Sequence, residues 1–248
     1  AGFSPAAHTA NGGNVDATHD HMPATSYYIP RSTQMLRPGE YLSAPHTGDP
    51  WDIAIEFMQE NAGQFGLTPS DLNDFAVTNM YVSERNGVTH IYLRQLHNGL
   101  PVVNADINVN VTAEGRVLNA ASSFLPGLNA TSPVAARAQP VISAPQALTA
   151  LAAAFGWKLD TAAAVRRAAL GVDQETVLGA SGVSLVDIPA RMHYVPTRDG
   201  GVQLAWNLNL QTVDRNHWYD ASVSAVSGEV IYNVDWIDHA QYNVLALP

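Results

Sequence analysis

The chain has 248 residues, 46% apolar and 14% charged, enough apolar material for one large core or two ordinary ones beneath a neutral polar surface. Its 12 basic and 22 acidic residues give a formal net charge of −10, with no basic stripe beyond Arg166-Arg167, which argues against nucleic acid and anionic membrane as partners. The absence of cysteine excludes disulfide frameworks, thiolate metal sites and cysteine nucleophiles, and no run of 18 apolar residues could span a bilayer.

Residues 1–46 are rich in Ala, Asn, Gly, His and Pro without apolar periodicity. They read as an extended arm that packs only through Tyr27, Tyr28 and Ile29. The opening Ala1-Gly2-Phe3-Ser4 lacks a charged region followed by an apolar stretch, so any signal peptide is expected to have been removed or never included. At Asp49-Pro50-Trp51-Asp52 a helix is predicted: an N-cap, a proline suited to the first turn, and an acid at the positive dipole end. Ile53, Phe57, Met58 and Phe65 give it one apolar face as far as Gly66. Strands are predicted over 75–84 and 88–96 around Asn86-Gly87, a two-residue hairpin signal, and over 100–112 after Asn98-Gly99. In the last of these Val103, Ala105, Ile107, Val109 and Val111 share one face, against Asn104, Asp106, Asn108 and Asn110 on the other. Gly115 closes a further turn into 117–124.

Residues 126–142, with three prolines and no period, read as a linker. A second helix is predicted from Ser143-Ala144-Pro145, with Leu148, Leu151, Ala152 and Phe155 on its apolar face and Gly156 near its end. An Ala-rich insertion over 158–180 suggests a short helix at Ala162 to Leu170. Strands are predicted at 183–186, 190–196, 202–213, 217–225 and 230–236, and Leu204, Trp206, Leu208 and Leu210 mark the apolar face of the third. A helix against an antiparallel meander, present twice, is an α+β architecture of two similar domains, 47–125 and 143–237, with 238–248 as a tail.

The chemistry-bearing residues form no recognisable catalytic motif. There is no His-Glu-x-x-His, no Gly-x-Ser-x-Gly elbow and no phosphate-binding loop. His19-Asp20-His21 has the spacing of a weak chelate, but a solvated tail explains it as well. His90, His97 and His217 fall on or beside strands, where hydrogen-bonded histidines are ordinary. Asp106 fits either acid–base chemistry or a solvent-facing polar row. Asn110-Val111-Thr112 and Asn129-Ala130-Thr131 fit the glycosylation sequon. On these residues alone the chain reads as a binding or interaction module.

The run from Val88 to Val111, with Leu96-His97-Asn98-Gly99-Leu100-Pro101-Val102-Val103-Asn104-Ala105-Asp106 at its centre, closely resembles the signature of fungalysin propeptides. Gly115-Arg116-Val117 and Ser123-Phe124 continue it. Leu204-Ala205-Trp206-Asn207-Leu208, Asp220-Ala221, Ser227-Gly228-Glu229 and Val234-Asp235-Trp236 resemble the companion PepSY-like domain. The resemblance implies two tandem cystatin-like domains, each a helix on a curved antiparallel sheet. It also implies a secreted zymogen whose propeptide assists folding of the zinc metallopeptidase domain and inhibits it until cleaved. The zinc would lie in that cognate domain, with no cofactor in this chain.

Gln241-Tyr242-Asn243-Val244-Leu245 resembles the start of the mature peptidase, which puts processing near His239-Ala240-Gln241. Asp238, His239, Ala240, Gln241 and Tyr242 are therefore the expected cleft-blocking segment. His239 is a candidate ligand of the partner's zinc, although an exposed linker residue is the simpler reading. Asn98, Gly99, Leu100, Pro101, Asn104 and Asp106 are the expected docking residues. The competing readings are a stand-alone module that binds a peptide or small ligand, and an unrecognised enzyme. The second would require His90, His97, Asp106 and His217 to converge.

Overall fold

The structure, a computed structural model, describes residues 30–36, 39–128 and 139–237. Tyr27, Tyr28, Ile29, His19 and His21 lie outside them.

Helix α1 (Pro50–Glu60) starts where the sequence predicts, with the Asp49 carboxylate accepting from the Trp51 N–H at 2.9 Å. It ends sooner than expected. Asn61 leaves helical geometry and turns its side-chain amide back to the Phe57 carbonyl, 2.8 Å away. A 3-10 turn, Ala62–Phe65, then delivers Phe65 to the same core before Gly66 (φ +73°) redirects the chain. The strands β1 (Thr33–Leu36), β2 (Phe75–Val82), β3 (Thr89–His97), β4 (Leu100–Val111) and β5 (Val117–Ser122) follow the spatial order β2-β3-β4-β5-β1, all antiparallel. β1 comes from the segment read as an arm. The Asn86-Gly87 signal closes a longer loop than predicted, since the Gly87 N–H reaches back to the Ser83 carbonyl at 2.8 Å. Ile91, Leu93, Ile107, Val109 and Val117 pack against Ile53, Ala54, Phe57 and Met58 of α1. Each large aliphatic side chain buried there contributes roughly 1.5–3 kcal/mol.

The second layer repeats the plan. Helix α2 (Ala144–Ala154) opens with the Ser143 N–H donating to the Gln146 side chain at 2.8 Å. It buries Leu148, Leu151 and Ala152 against β8 (Ile188–Pro196), β9 (Val202–Gln211), β10 (Trp218–Ser224) and β11 (Val230–Asp235). Leu204, Trp206, Leu208 and Leu210 line this core, as their alternation requires.

Two expectations fail in this half. Ala162 to Leu170 is not helical: β6 (Val165–Leu170) and β7 (Glu175–Leu178) form a hairpin whose second strand pairs with β8. Left-handed Gly171 (φ +76°) and Gln174 (φ +50°) close that hairpin, and pairing with β7, itself paired to β8, outweighs the helix propensity of alanine. Val183 to Val186 forms no strand and contributes one isolated bridge, Ser184 to Thr212.

The two layers are joined through β4. Its C-terminal portion pairs with β3 and β5, while Val102 near its start lies beside Tyr194 of β8 in parallel register. Leu100, Val102 and Ala105 belong to the α2 core, whereas Ile107, Val109 and Val111 belong to the α1 core. The uninterrupted alternation expected for this strand is therefore wrong at Val103. Asn104 takes up φ +58°, inverting the phase, and Val103 packs on the opposite side with Val195, Ala205 and Tyr232.

The segment before α1 is held against the β4–β5 turn, where the His46 N–H donates to the Gly115 carbonyl at 3.1 Å. A Cβ on Gly115 (φ +71°) would lie 1.9 Å from the His46 oxygen, whereas Gly127 (φ +76°) faces open space. Gly115→Ala is therefore expected to cost about 2 kcal/mol or more, and Gly127→Ala about 1 kcal/mol. Urea unfolding midpoints of the two variants check this ordering.

Candidate functional site

The signature run builds the crossover between the layers. Asn98 (φ +52°) and Gly99 (φ +77°) form the two-residue turn joining β3 to β4, both left-handed as a type I′ turn demands. His97 meets the Tyr194 ring edge-on at 5.0 Å, so this turn sits where β4 meets β8. Leu100 is fully buried in the α2 core, Pro101, Asn98 and Asn104 are half-buried, and Gly99 is exposed. Ser123 stitches the bulge: its hydroxyl donates to the Asn104 carbonyl (2.7 Å) and accepts from the Asp106 N–H (2.9 Å).

Across the bulge stands Gln95, 0% exposed, which donates to the Leu125 carbonyl and accepts from the Leu125 N–H, each at 2.8 Å. The side-chain amide thus completes a ladder that the bulge interrupts. Reading the sequence missed both residues. The available signal was a polar Gln95 in phase with buried Ile91 and Leu93.

Beyond the bulge, the outer face of the first sheet carries ordered rows of polar groups. Tyr81, His90, Asn110 and Asn119 lie opposite one another on β2, β3, β4 and β5. The Tyr81 ring stacks on His90 at 4.8 Å, and His90 Nδ1 lies 2.6 Å from Asn110 Oδ1. Asn110 is thereby withdrawn from the glycosylation reading, while Asn129 lies outside the described residues. One row on, hydrogen bonding to Tyr81, followed by burial, raises the pKa of the Tyr92 phenol. Next, Asp106 accepts both forks of Arg94, Nε to Oδ1 at 2.8 Å and the second nitrogen to Oδ2 at 3.0 Å. Thr78, Asn79, Tyr81, Tyr92, Arg94 and Asp106 line an open cleft of about 430 Å³.

The outer face of the second sheet is covered near the junction. His193 is buried there with Nε2 2.8 Å from the Ser222 hydroxyl. Burial, aided by the nearby charges of Arg94 and Arg191, lowers its pKa to about 3 and keeps the ring neutral.

At the far end of this sheet, His217 Nδ1 lies 2.5 Å from Asp235 Oδ2, and Asp235 Oδ1 accepts from the N–H groups of Trp218 (2.9 Å) and Ile237 (3.1 Å). Burial opposes ionisation of Asp235, but these bonds outweigh it and hold the carboxyl below its usual range. Burial also pushes the Tyr219 phenol up to about 12, with help from Asp235 and Asp214.

His90, His97, Asp106 and His217 thus occupy separate places, each with its own contacts, and do not converge on a reaction centre. Among the described residues no group of three His, Asp or Glu could hold a metal. Asp238, His239, Ala240, Gln241 and Tyr242 lie outside the described residues.

Residues 73–124 match the Fungalysin/Thermolysin Propeptide Motif, covering β2 to β5 with the bulge and its Ser123 stitch. The chain is 28% identical to extracellular metalloproteinase 10 of Coccidioides posadasii over 93% of its own length and 34% of the relative's. It is 33% identical to extracellular metalloproteinase 10 of Uncinocarpus reesii over 88% and 36%, and 31% identical to extracellular metalloproteinase 5 of Arthroderma otae over 66% and 25%.

These matches support a fungalysin propeptide.

The chain spans about a third of the length of the relatives it matches most fully, and the region matched is their N-terminal propeptide and not the peptidase. Among solved structures the Bacillus megaterium YpeB C-terminal domain is similar at 11% identity and a TM-score of 0.36, over 82% of this chain and 70% of that one. Within the matched motif, Asn98-Gly99 make the turn and Asn104 the phase inversion of the shared strand.

Two predictions follow from this geometry. Gln95→Leu strands the Leu125 N–H and carbonyl, and is expected to destabilise by about 2–4 kcal/mol in urea unfolding. His193 is neutral when folded down to about pH 3, whereas the unfolded chain protonates it near pH 6.5, so it removes stability as the pH falls between those values. His193→Gln, which keeps a partner for Ser222, should shrink the stability difference between pH 7 and pH 4 by about 3 kcal/mol. An unchanged difference contradicts the buried neutral histidine.

Proposed function

We propose that this propeptide inhibits the catalytic domain of a secreted zinc metallopeptidase and assists its folding, until cleavage near residues 239–241 removes it. The observation that carries the reading is the propeptide motif over 73–124 in a chain that aligns with extracellular metalloproteinases along most of its length. We further propose that the working units are two tandem cystatin-like domains, 47–125 and 143–237, with 1–46 an arm, 126–142 the linker and 238–248 the processing segment and start of the mature peptidase. The zinc belongs to the peptidase.

Inhibition by such a body depends on rigidity, because binding energy is lost wherever the inhibitor must first be ordered. The shared strand β4 and the Gln95–Leu125 and Ser123–Asn104 contacts support that role, since they tie one layer to the other. The polar outer face around Arg94–Asp106, with the Asn98, Gly99 and Pro101 turn beside it, is the proposed docking region. In it Asn104 acts through its backbone and Leu100 as an internal anchor. Residues 238–242 are proposed to lie in the peptidase cleft.

Added in trans at about 1 µM, the full chain is expected to slow peptide hydrolysis by its separately produced catalytic domain, an affinity of about −8 kcal/mol or better. Absence of slowing at that concentration overturns the inhibitory reading. Removing residues 238–248 should weaken inhibition while leaving binding detectable by titration, which separates cleft blockade from docking.

A further inference from the structure

We propose that the cross-strand pair Trp218–Trp236 is the hydrophobic anchor that seats the second sheet on the catalytic domain. The inference rests on the propeptide reading above. The Tyr219–Asp235 pairing puts Trp218 and Trp236 opposite each other on one face of the β10–β11 ladder, and the Trp236 N–H donates to the Trp218 carbonyl at 2.8 Å. They are the two most solvent-exposed tryptophans among the described residues, at 46% and 62%. Together they leave roughly 250 Å² of aromatic side chain in water, on two adjacent residues of the type that anchors interfaces.

Exposure alone would not distinguish an anchor from a tolerated surface residue, but this pair is also held in place. Asp235, between the pair in the chain, accepts from the N–H groups of Trp218 and Ile237 and is fixed in turn by His217. The Trp218 indole N–H donates to Asn209 Oδ1 at 2.8 Å, which fixes the edge of that ring. Such preorganisation lowers the ordering cost of an interface, and tryptophan is the residue type most enriched at binding hot spots.

The occupant follows from position. On the propeptide reading the catalytic domain follows Trp236 in the precursor, which tethers it close to this patch. A tether makes that domain the occupant at the highest effective concentration. Among the described residues the edge of β2, with Val77, Met80 and Val82, and the β6 hairpin, with Val165, Leu170 and Val172, also expose apolar side chains, but nothing comparable indicates what covers them.

The test uses the full 248-residue chain. Trp236→Ala, Trp218→Ala and, as a conservative control, Trp236→Phe are compared in trans inhibition of the separately produced catalytic domain. Thermal melts establish that each is folded. A Ki raised about 10- to 30-fold by Trp236→Ala, and mostly restored by Trp236→Phe, is the expected result. If Trp218→Ala fails to fold, the two Trp236 variants decide. A Ki within fivefold of the parent for folded Trp236→Ala overturns the anchor while leaving the inhibitory reading intact. Failure of the parent chain to inhibit overturns the inhibitory reading instead. Sedimentation of the free chain reads the remaining occupant: loss of a self-associated form in the variants, with inhibition unchanged, assigns the pair to a second copy and overturns the proposal.

Discussion

The left-handed backbone at Asn104 lets one strand serve two cores. A regular strand would send every second side chain of β4 to a single face, and one helix would cover them all. With the phase inverted at residue 104, Leu100 and Val102 before it and Ala105 after it reach the α2 core, while Ile107, Val109 and Val111 reach the α1 core. An L-residue in this conformation costs about 1–2 kcal/mol, least for asparagine and glycine. That cost is offset locally by Ser123, which binds both sides of the bulge, and by Gln95, which replaces the interrupted ladder with its own amide. Twisting one helix-on-sheet layer against the other would break these contacts and open both cores.

The junction also gives the two sheets different outer faces. On the first, rows such as Tyr81–His90–Asn110 and Arg94–Asp106 stay open to solvent and satisfy one another laterally. On the second, the same alternation of polar and apolar letters is covered near β4, where Ala205, Ser222, Ser224 and His193 are buried. Farther from β4 the second sheet opens again, and there the Asp235 carboxylate orders both a tryptophan pair and the direction in which the chain leaves. A body of this kind presents a fixed polar surface at one end and a fixed aromatic one at the other, and among the described residues His90, His97, Asp106 and His217 stay apart.

Much of this was legible in the sequence. Asp49-Pro50 and Ser143 started their helices, the alternation of Leu204 to Leu210 fixed a strand and its inner face, and Asn98-Gly99 specified its turn, because caps, period-two patterns and left-handed turns depend on neighbours a few residues away. The match of the signature run to a propeptide motif was likewise contained in the letters. Other features were decided between distant segments. Val165 to Leu170 lies in a stretch rich in helix formers, yet becomes a strand because it pairs with β7, which is itself paired to β8. Val103 obeys its local alternation on paper and breaks it in space because β4 must satisfy a second core. His193 is an ordinary strand histidine until burial, aided by Arg94 and Arg191, disfavours its charged form. Sequence fixed what a few adjacent residues can settle by their own geometry. Burial, phase and charge state at the junction required the competing demands of two cores, and only the assembled tertiary structure contains both.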